Sequence, residues 1–279
     1  MAMQTTWLVV NSASGSNDEH VQARLVDALA AAGAPPDRVI DVQADDVPGA
    51  AALGAGEVGL LVVFAGDGTV NSVLAGANGW DGRVLILPGG TANLLARALH
   101  GERGAEDIVG ALGQLRTVRR HLVRCDSGDG FIELLAGPGA IWSDVRESIR
   151  EGDVGEFASR GIEAVQGSIG GPRVMIAQPA LGDPGGYAGV RMTPAAEGLV
   201  LAGYGAETVS DLVLQGVALL RRDYREGPHD KLGHAQEITC ESSDGAPIDL
   251  MIDGERATGT AKMRFSLVEL PLDLLASQE

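Results

Sequence analysis

Three short polar loops interrupt the first ninety or so residues, each directly after an apolar run: "VVNSASGS" (9–16), "VVFAGDGTVN" (62–71) and "LILPGGTAN" (86–93). Glycine removes side-chain bulk, so backbone N–H groups can approach an anion, and the N-terminus of a following helix favours negative charge. Ser12, Ser14, Thr69 and Thr91 add hydroxyl donors. These residue types suit a nucleotide polyphosphate. Two common phosphate loops are excluded. The chain's lysines are Lys231 and Lys262, so no Walker lysine follows a glycine loop, and Asn71 stands where a dinucleotide fingerprint needs its third glycine. Phosphate charge then falls to amides, arginine and a cation such as Mg2+. Asp67 would repel a bare phosphate, and it makes most sense beside a metal or a donor-rich ligand face. For any single loop the alternative is a plain strand-to-helix turn, with Gly68 left-handed and Asp67 capping the helix. Three such loops on one edge weigh against it.

The elements around the loops read as alternating strands and helices. "WLVV" (7–10), "RVIDV" (38–42), "LLVVF" (60–64) and "VLIL" (84–87) are apolar runs of strand length. Helical patterns cover 17–33, 46–53, 70–77, 93–99 and 105–114. Strands apolar on both faces and separated by helices predict a parallel sheet covered on each side. Its strand ends would bring the three loops to one edge, where open α/β sheets bind ligands. Past Val118 the pattern changes to alternating segments: "FIELLAG", "PRVMIAQ", "GLVLAGYG", "HAQEITC", "PIDLMIDGE" and "AKMRFSLVEL". Helical patches fall near 142–150, 155–167 and 206–222. The expected fold is an α/β domain at 1–118 followed by a β-rich, antiparallel, sandwich-like domain at 119–261.

Composition narrows the function. Lys plus Arg number 21 against 38 Asp plus Glu, a net charge of −17. That balance argues against a nucleic-acid partner, which needs a basic surface. Two distant cysteines, Cys125 and Cys240, fit a reducing compartment. No basic-then-apolar leader and no apolar stretch of spanning length is visible, so the chain reads as cytoplasmic.

With these residues in view, the chain resembles the diacylglycerol kinase catalytic-domain superfamily, which includes sphingoid-base and ceramide kinases and, more distantly, NAD kinases. "AGDGTVNSVL" is similar to the family's Gly-Gly-Asp-Gly-Thr segment, "NSASG" (11–15) to its Asn-Pro-x-Ser/Ala-Gly loop, and "PGGTAN" (88–93) to its Pro-x-Gly-Thr-x-Asn loop. Asp253-Gly254-Glu255 matches a late Asp-Gly-Glu. The four occur in family order. The resemblance implies an NAD kinase/diacylglycerol kinase-like α/β domain, a β-rich second domain, and a C-terminal segment, about 262–279, that packs back on the first. It implies ATP and Mg2+ as cofactors, held by Asn11, Ser14, Gly15, Gly66, Asp67, Gly68, Thr69, Asn71, Gly90, Thr91 and Asn93. Asp67 is the expected essential residue and a metal ligand, with Asp253 as a second metal group unless its "DG" is simply a β-turn. Glu255 is the acid contributed by the second domain. Glu197, in Glu197-Gly198, is a further candidate base where the family shows an Asp-Gly-x-hydrophobic-Asp stretch.

The sequence departs from the family at Ala65, Ser12, Ser72 and Leu94, and Leu201 stands at the later acidic position of that stretch. These departures keep a second reading open: a catalytically reduced protein that senses nucleotide or lipid on the same fold. A kinase of a soluble substrate, nearer to NAD kinases, is a third. The first reading is a lipid kinase acting on a free hydroxyl, peripheral to the membrane through transient surface contact, with a homodimer as a possible assembly. "PHDKLGH", with His229, Asp230 and His234, reads as a surface loop rather than a metal site. Arg116, Arg119, Arg120 and Arg124, and again Arg221, Arg222 and Arg225, read as solvated faces paired with the surplus acids.

Overall fold

The computed structural model describes residues 5–13, 19–137, 172–205 and 229–277. The chain divides into two compact units, Met1–Arg120 with Glu269–Glu279, and His121–Val268. Ser14, Gly15, the helical patches near 142–150, 155–167 and 206–222, and the Arg221, Arg222 and Arg225 group lie outside the described residues.

The first unit is a six-stranded sheet in the order β2-β1-β3-β4-β17-β5. Its strands are β1 (Thr5–Val10), β2 (Arg38–Asp41), β3 (Val58–Ala65), β4 (Arg83–Pro88), β5 (Arg116–Val118) and β17 (Asp273–Ala276). The first four run parallel, each neighbour joined through a helix. Leu60, Leu61, Val62, Val63 and Phe64 are all buried, which requires cover on both faces and explains why this strand is apolar without alternation. On one face, Leu60, Val62 and Phe64 pack with Leu25 and Leu29 of α1 (Glu19–Ala31) and Ile108 and Val109 of α5 (Ala105–Gly110). Between these two helices in the chain come α2 (Ala50–Ala55), α3 (Asp67–Gly76) and α4 (Leu94–His100). The expected helix at 105–114 ends at Gly110 and continues only as a 3-10 turn over Leu112–Gln114.

The end of the chain completes this sheet. β17 lies parallel to β4 and antiparallel to β5, with Leu274 and Leu275 buried. The returning segment is shorter than the 262–279 read from the sequence. Met263 and Phe265 of β16 (Lys262–Glu269) are core residues of the second unit, and β16 pairs there with β13 (Glu237–Ser242). Arg119 fixes the return, pairing with Asp273 at 2.9 Å and Glu269 at 3.4 Å.

The second unit contains two antiparallel sheets, as expected of a sandwich. One has the order β12-β11-β10-β8-β14-β15, the other β7-β6-β16-β13-β9. In the first, β8 is Leu134–Ala136, β10 Gly189–Ala195, β11 Gly198–Tyr204, β12 Asp230–Ala235, β14 Asp249–Ile252 and β15 Glu255–Thr258. In the second, β6 is His121–Cys125, β7 Gly128–Gly130 and β9 Val174–Gln178. Alternate residues of both sheets, among them Val123, Leu134, Val190, Leu201, Cys240, Leu250 and Phe265, form one core. Cys240 is sealed in it, and burial pushes its thiol up to about 12, so it is an inert apolar side chain. Asp230–His234 of the "PHDKLGH" segment lie in the edge strand β12 rather than in a loop. Asp230 accepts a hydrogen bond from the Tyr187 hydroxyl at 3.1 Å, and the His229 ring lies 5.6 Å from that of Tyr204.

Candidate functional site

The strand order 2-1-3-4 has a topological switch between β1 and β3: the chain leaves β1 toward β2 on one side and builds β3 and β4 on the other. Ligands of open α/β sheets bind at the carboxyl ends of such strands, where the loops part. The three polar loops leave β1, β3 and β4 at these ends.

A Cβ on Gly90 would meet the Gly66 backbone at 2.5 Å, and one on Gly89 would meet Ala65 N at 2.5 Å. The β3 and β4 loops are therefore in backbone contact, and glycine is needed for that closeness. Gly66 is extended and Asp67 opens α3. The first bond inside the helix runs from Val70 N–H to Gly66 O, so the N–H groups of Asp67, Gly68 and Thr69 precede the ladder and have no acceptor within it. The plain-turn alternative differs from this in two ways. Gly68 lies inside the helix, and Asp67 sits in the first turn while Gly66 occupies the cap with no side-chain bond. The left-handed residue on this edge is Asn93, with φ +51. Its side chain accepts from Gly90 N–H and donates to Gly90 O, both at 2.7 Å, folding the "PGGTAN" loop on itself.

Side chains tie the loops together across the strands. Asp67 Oδ1 accepts the Leu94 N–H at 2.7 Å, joining the start of α3 to the start of α4. Asn11 Nδ2 donates to Thr69 Oγ1 at 3.0 Å, bridging β1 and β3 over the switch point. Asn11 Oδ1 accepts from Ala13 N–H and from Gln43 Nε2, each at 3.1 Å. Asp41, closing β2, accepts from Ser12 N–H at 3.2 Å and Gln43 N–H at 3.1 Å. The Ser12 hydroxyl is the main reason its carboxyl lies below the usual range, with the two amides adding to it against slight burial. Bonds thus run along the edge from β2 to the β4 loop, and Asn11, Gly66, Asp67, Gly68, Thr69, Gly90 and Asn93 come together on it. Asn71, on the next turn of α3, is half-buried, and Thr91 is exposed on the β4 loop.

Asp41 and Gln43 carry no motif, and only the folded edge reveals them. "RVID" ending on a carboxylate was the one trace of Asp41 in the sequence. The departures also gain an account. Leu94 serves Asp67 through its backbone N–H, which an aspartate there would supply equally. Ser72 donates to Gly68 O at 3.0 Å inside α3. Leu201 is buried in the sandwich core, where an acid would lose its hydration.

In the second unit, Glu197 lies exposed in the β10–β11 turn, its carbonyl accepting from Gln236. Glu255 is exposed at the start of β15. The geometry of Asp253 favours the β-turn reading over a metal ligand. It is buried, and its carboxylate accepts the N–H groups of Phe131, Ile132 and Glu133 at 2.7–2.9 Å. Three amides surround an oxygen pair that a metal ligand would need to offer outward. Among the described residues no group of three or more His, Cys, Asp or Glu is placed to hold a metal.

Residues 5–133 match the diacylglycerol kinase catalytic domain. That span contains all three glycine loops and stops before Asp253-Gly254-Glu255. The similarity to that family thus covers most of the first unit and the start of the second. Among solved structures, a diacylglycerol kinase from Bacillus anthracis str. Sterne is similar, with TM-score 0.67 and 17% identity over 99% of this chain and 98% of that one. A putative diacylglycerol kinase from the same organism gives TM-score 0.66 at 16% identity with the same coverage. At such identity the likeness concerns the fold, and it extends over both units. No protein of curated function matches the sequence. Among the described residues no helix is long and apolar enough to cross a membrane.

Proposed function

We propose that the protein transfers the γ-phosphate of ATP, bound with Mg2+, to a free hydroxyl of diacylglycerol or a related sphingoid- or ceramide-like lipid. The observation that carries this reading is the hydrogen-bonded edge at the β1/β3 switch point. There, helix N–H groups that precede the α3 ladder, a hydroxyl and backbone-to-backbone glycine loops offer donors with no lysine among them. Phosphoryl transfer asks chiefly for positioning and charge stabilisation, and such an array supplies both. Mg2+ keeps several waters and binds through one or two carboxylates plus substrate phosphates. A single loop carboxylate, Asp67, with the nucleotide's own oxygens fits that demand without a protein metal cluster. The ion would screen phosphate charge.

Glu255 is carried over, on the resemblance, as the carboxylate that polarises the lipid hydroxyl or aids the metal, and its exposure supports the choice over buried Asp253. A lipid acceptor entails transient contact with a membrane surface. Incubating the purified chain with γ-labelled ATP, Mg2+ and a mixed lipid extract tests the reading: label is expected in a lipid and is expected to vanish in Asp67→Asn. Tight ATP binding with every lipid unlabelled would instead favour the nucleotide-sensing alternative.

A further inference from the structure

The bonds along the nucleotide edge have a direction that one backbone group fixes. The Ala13 N–H can only donate, so the Asn11 side-chain atom 3.1 Å from it is the carbonyl oxygen. The Asn11 atom facing Thr69 is therefore the amide nitrogen, and it donates to Oγ1 at 3.0 Å. By the same logic the Gln43 atom 3.1 Å from Asn11 Oδ1 is its amide nitrogen. Gln43 donates to Asn11, and Asn11 donates to Thr69. A hydroxyl that accepts in this way retains its own hydrogen to give. Among the described residues no acceptor takes it. Thr69 stands in the first turn of α3, beside the N–H groups the helix leaves unused.

We propose that Gln43, which belongs to none of the glycine loops, is a positioning residue that, together with the Ala13 N–H, holds the polarity of this chain, so that Thr69 Oγ1 presents a donor to an anionic phosphate oxygen. The inference rests on the nucleotide reading of the same edge and adds a residue to it. Asp41 takes part by accepting the Gln43 N–H, which anchors the backbone from which the Gln43 side chain reaches Asn11. Three dipoles aligned head to tail strengthen one another, and the last bond, to a charged oxygen, gains most.

Mg-ATP binding to the full chain, measured by titration calorimetry, tests the proposal in wild type, Gln43→Glu, Thr69→Val and the double variant, with thermal unfolding as the check on folding. A carboxylate at 43 opposes Asn11 Oδ1; turning the Asn11 amide round relieves this at the expense of the Ala13 N–H bond and makes Thr69 donate inward. Gln43→Glu is expected to weaken binding about tenfold when Thr69 is present, the worth of one charge-assisted hydrogen bond. In the Thr69→Val background the same change is expected to cost less than about twofold, because the relay has no last member. Thr69→Ser, which keeps the hydroxyl, restores the coupling. Equal weakening in both backgrounds means that the new charge simply repels phosphate, and it overturns the proposal, as does no weakening at all. Where Gln43→Glu does not fold, Gln43→Met removes the donor without adding charge and is judged by the same dependence on Thr69. A wild-type chain that binds no Mg-ATP defeats the nucleotide reading itself, whereas binding without coupling defeats the relay alone.

Discussion

Asp67-Gly68 and Asp253-Gly254 are the same dipeptide, each just past a buried strand, and they do opposite things. At 253 both residues are left-handed, φ +49 and +95, and Ile252 pairs with Glu255 across a two-residue hairpin. That is the primed turn for which Asp-Gly is the strongest short signal. Its carboxylate turns inward and is consumed by three backbone amides of the 131–133 segment, while Asp253 N–H bonds back to Glu133 O. At 67 the dipeptide begins a helix, and one carboxylate oxygen accepts the amide of Leu94 on a half-buried polar edge. At 253 the aspartate closes a structure; at 67 it joins two loops. What surrounds the dipeptide, rather than its own chemistry, separates the roles.

Four measurements would break or sharpen that contrast. The largest effect belongs to Asp253→Ala, which leaves three amides, two of them buried, without their acceptor. A loss of about 4 kcal/mol is expected in denaturant unfolding, with nucleotide binding per folded molecule unchanged. A stability loss below about 1 kcal/mol would mean that Asp253 is not the anchor described. Asp67→Asn should reverse the pattern: lipid phosphorylation falls at least about a hundredfold, near 3 kcal/mol of transition-state stabilisation, while the unfolding midpoint barely moves. Equal turnover in this variant would reduce Asp67 to a structural link like its counterpart.

The third concerns α4, whose start Asp67 holds and whose end carries His100. That imidazole is buried, its Nδ1 3.0 Å from Ser277 Oγ. Burial pushes it down to about 4, Arg103 adds to this, and a bond to the Ile86 backbone opposes it. The folded state thus binds the proton less well than the unfolded chain, whose histidine titrates near 6.5. Stability is full above that value and is lost as pH falls from about 6.5 toward 4. Up to roughly 3 kcal/mol is at stake. Unfolding followed from pH 7 to pH 4.5 should show this fall, and His100→Gln should flatten it. The smallest effect is expected from Gly90→Ala. Its Cβ would press on the Gly66 backbone, so a loss of about 1–2 kcal/mol should come with weaker Mg-ATP binding, read by calorimetry.

Much of the first unit was legible because its signals are local. A run such as "LLVVF" has no polar face to give to water, so it must lie in a sheet covered twice. Glycine-rich loops after three such runs had to gather at one edge once the strands were parallel. The β-rich second unit was legible as a class, yet β10 and the edge strand β12 were not read as strands. "DKLGHA" carries no clear apolar alternation, since an edge strand can leave most of its side chains in water. The last strand was less legible still. "DLLA" takes its place between β4 and β5 only because Leu274 and Leu275 can be buried there, a contact with partners more than 150 residues away.

The sequence by itself determined the strand-loop-helix alternation, the absence of lysine from the glycine loops and the family likeness, because each rests on neighbours within a few residues. Tertiary structure alone decided that Asp253 is a buried anchor, that Leu94 contributes its amide, and that Asp41 and Gln43 belong to the same hydrogen-bonded edge as Asn11 and Thr69. The reason is physical: a hydrogen bond is set by distance in space, and residues 27, 32 and 121 positions apart meet only after the sheets are built.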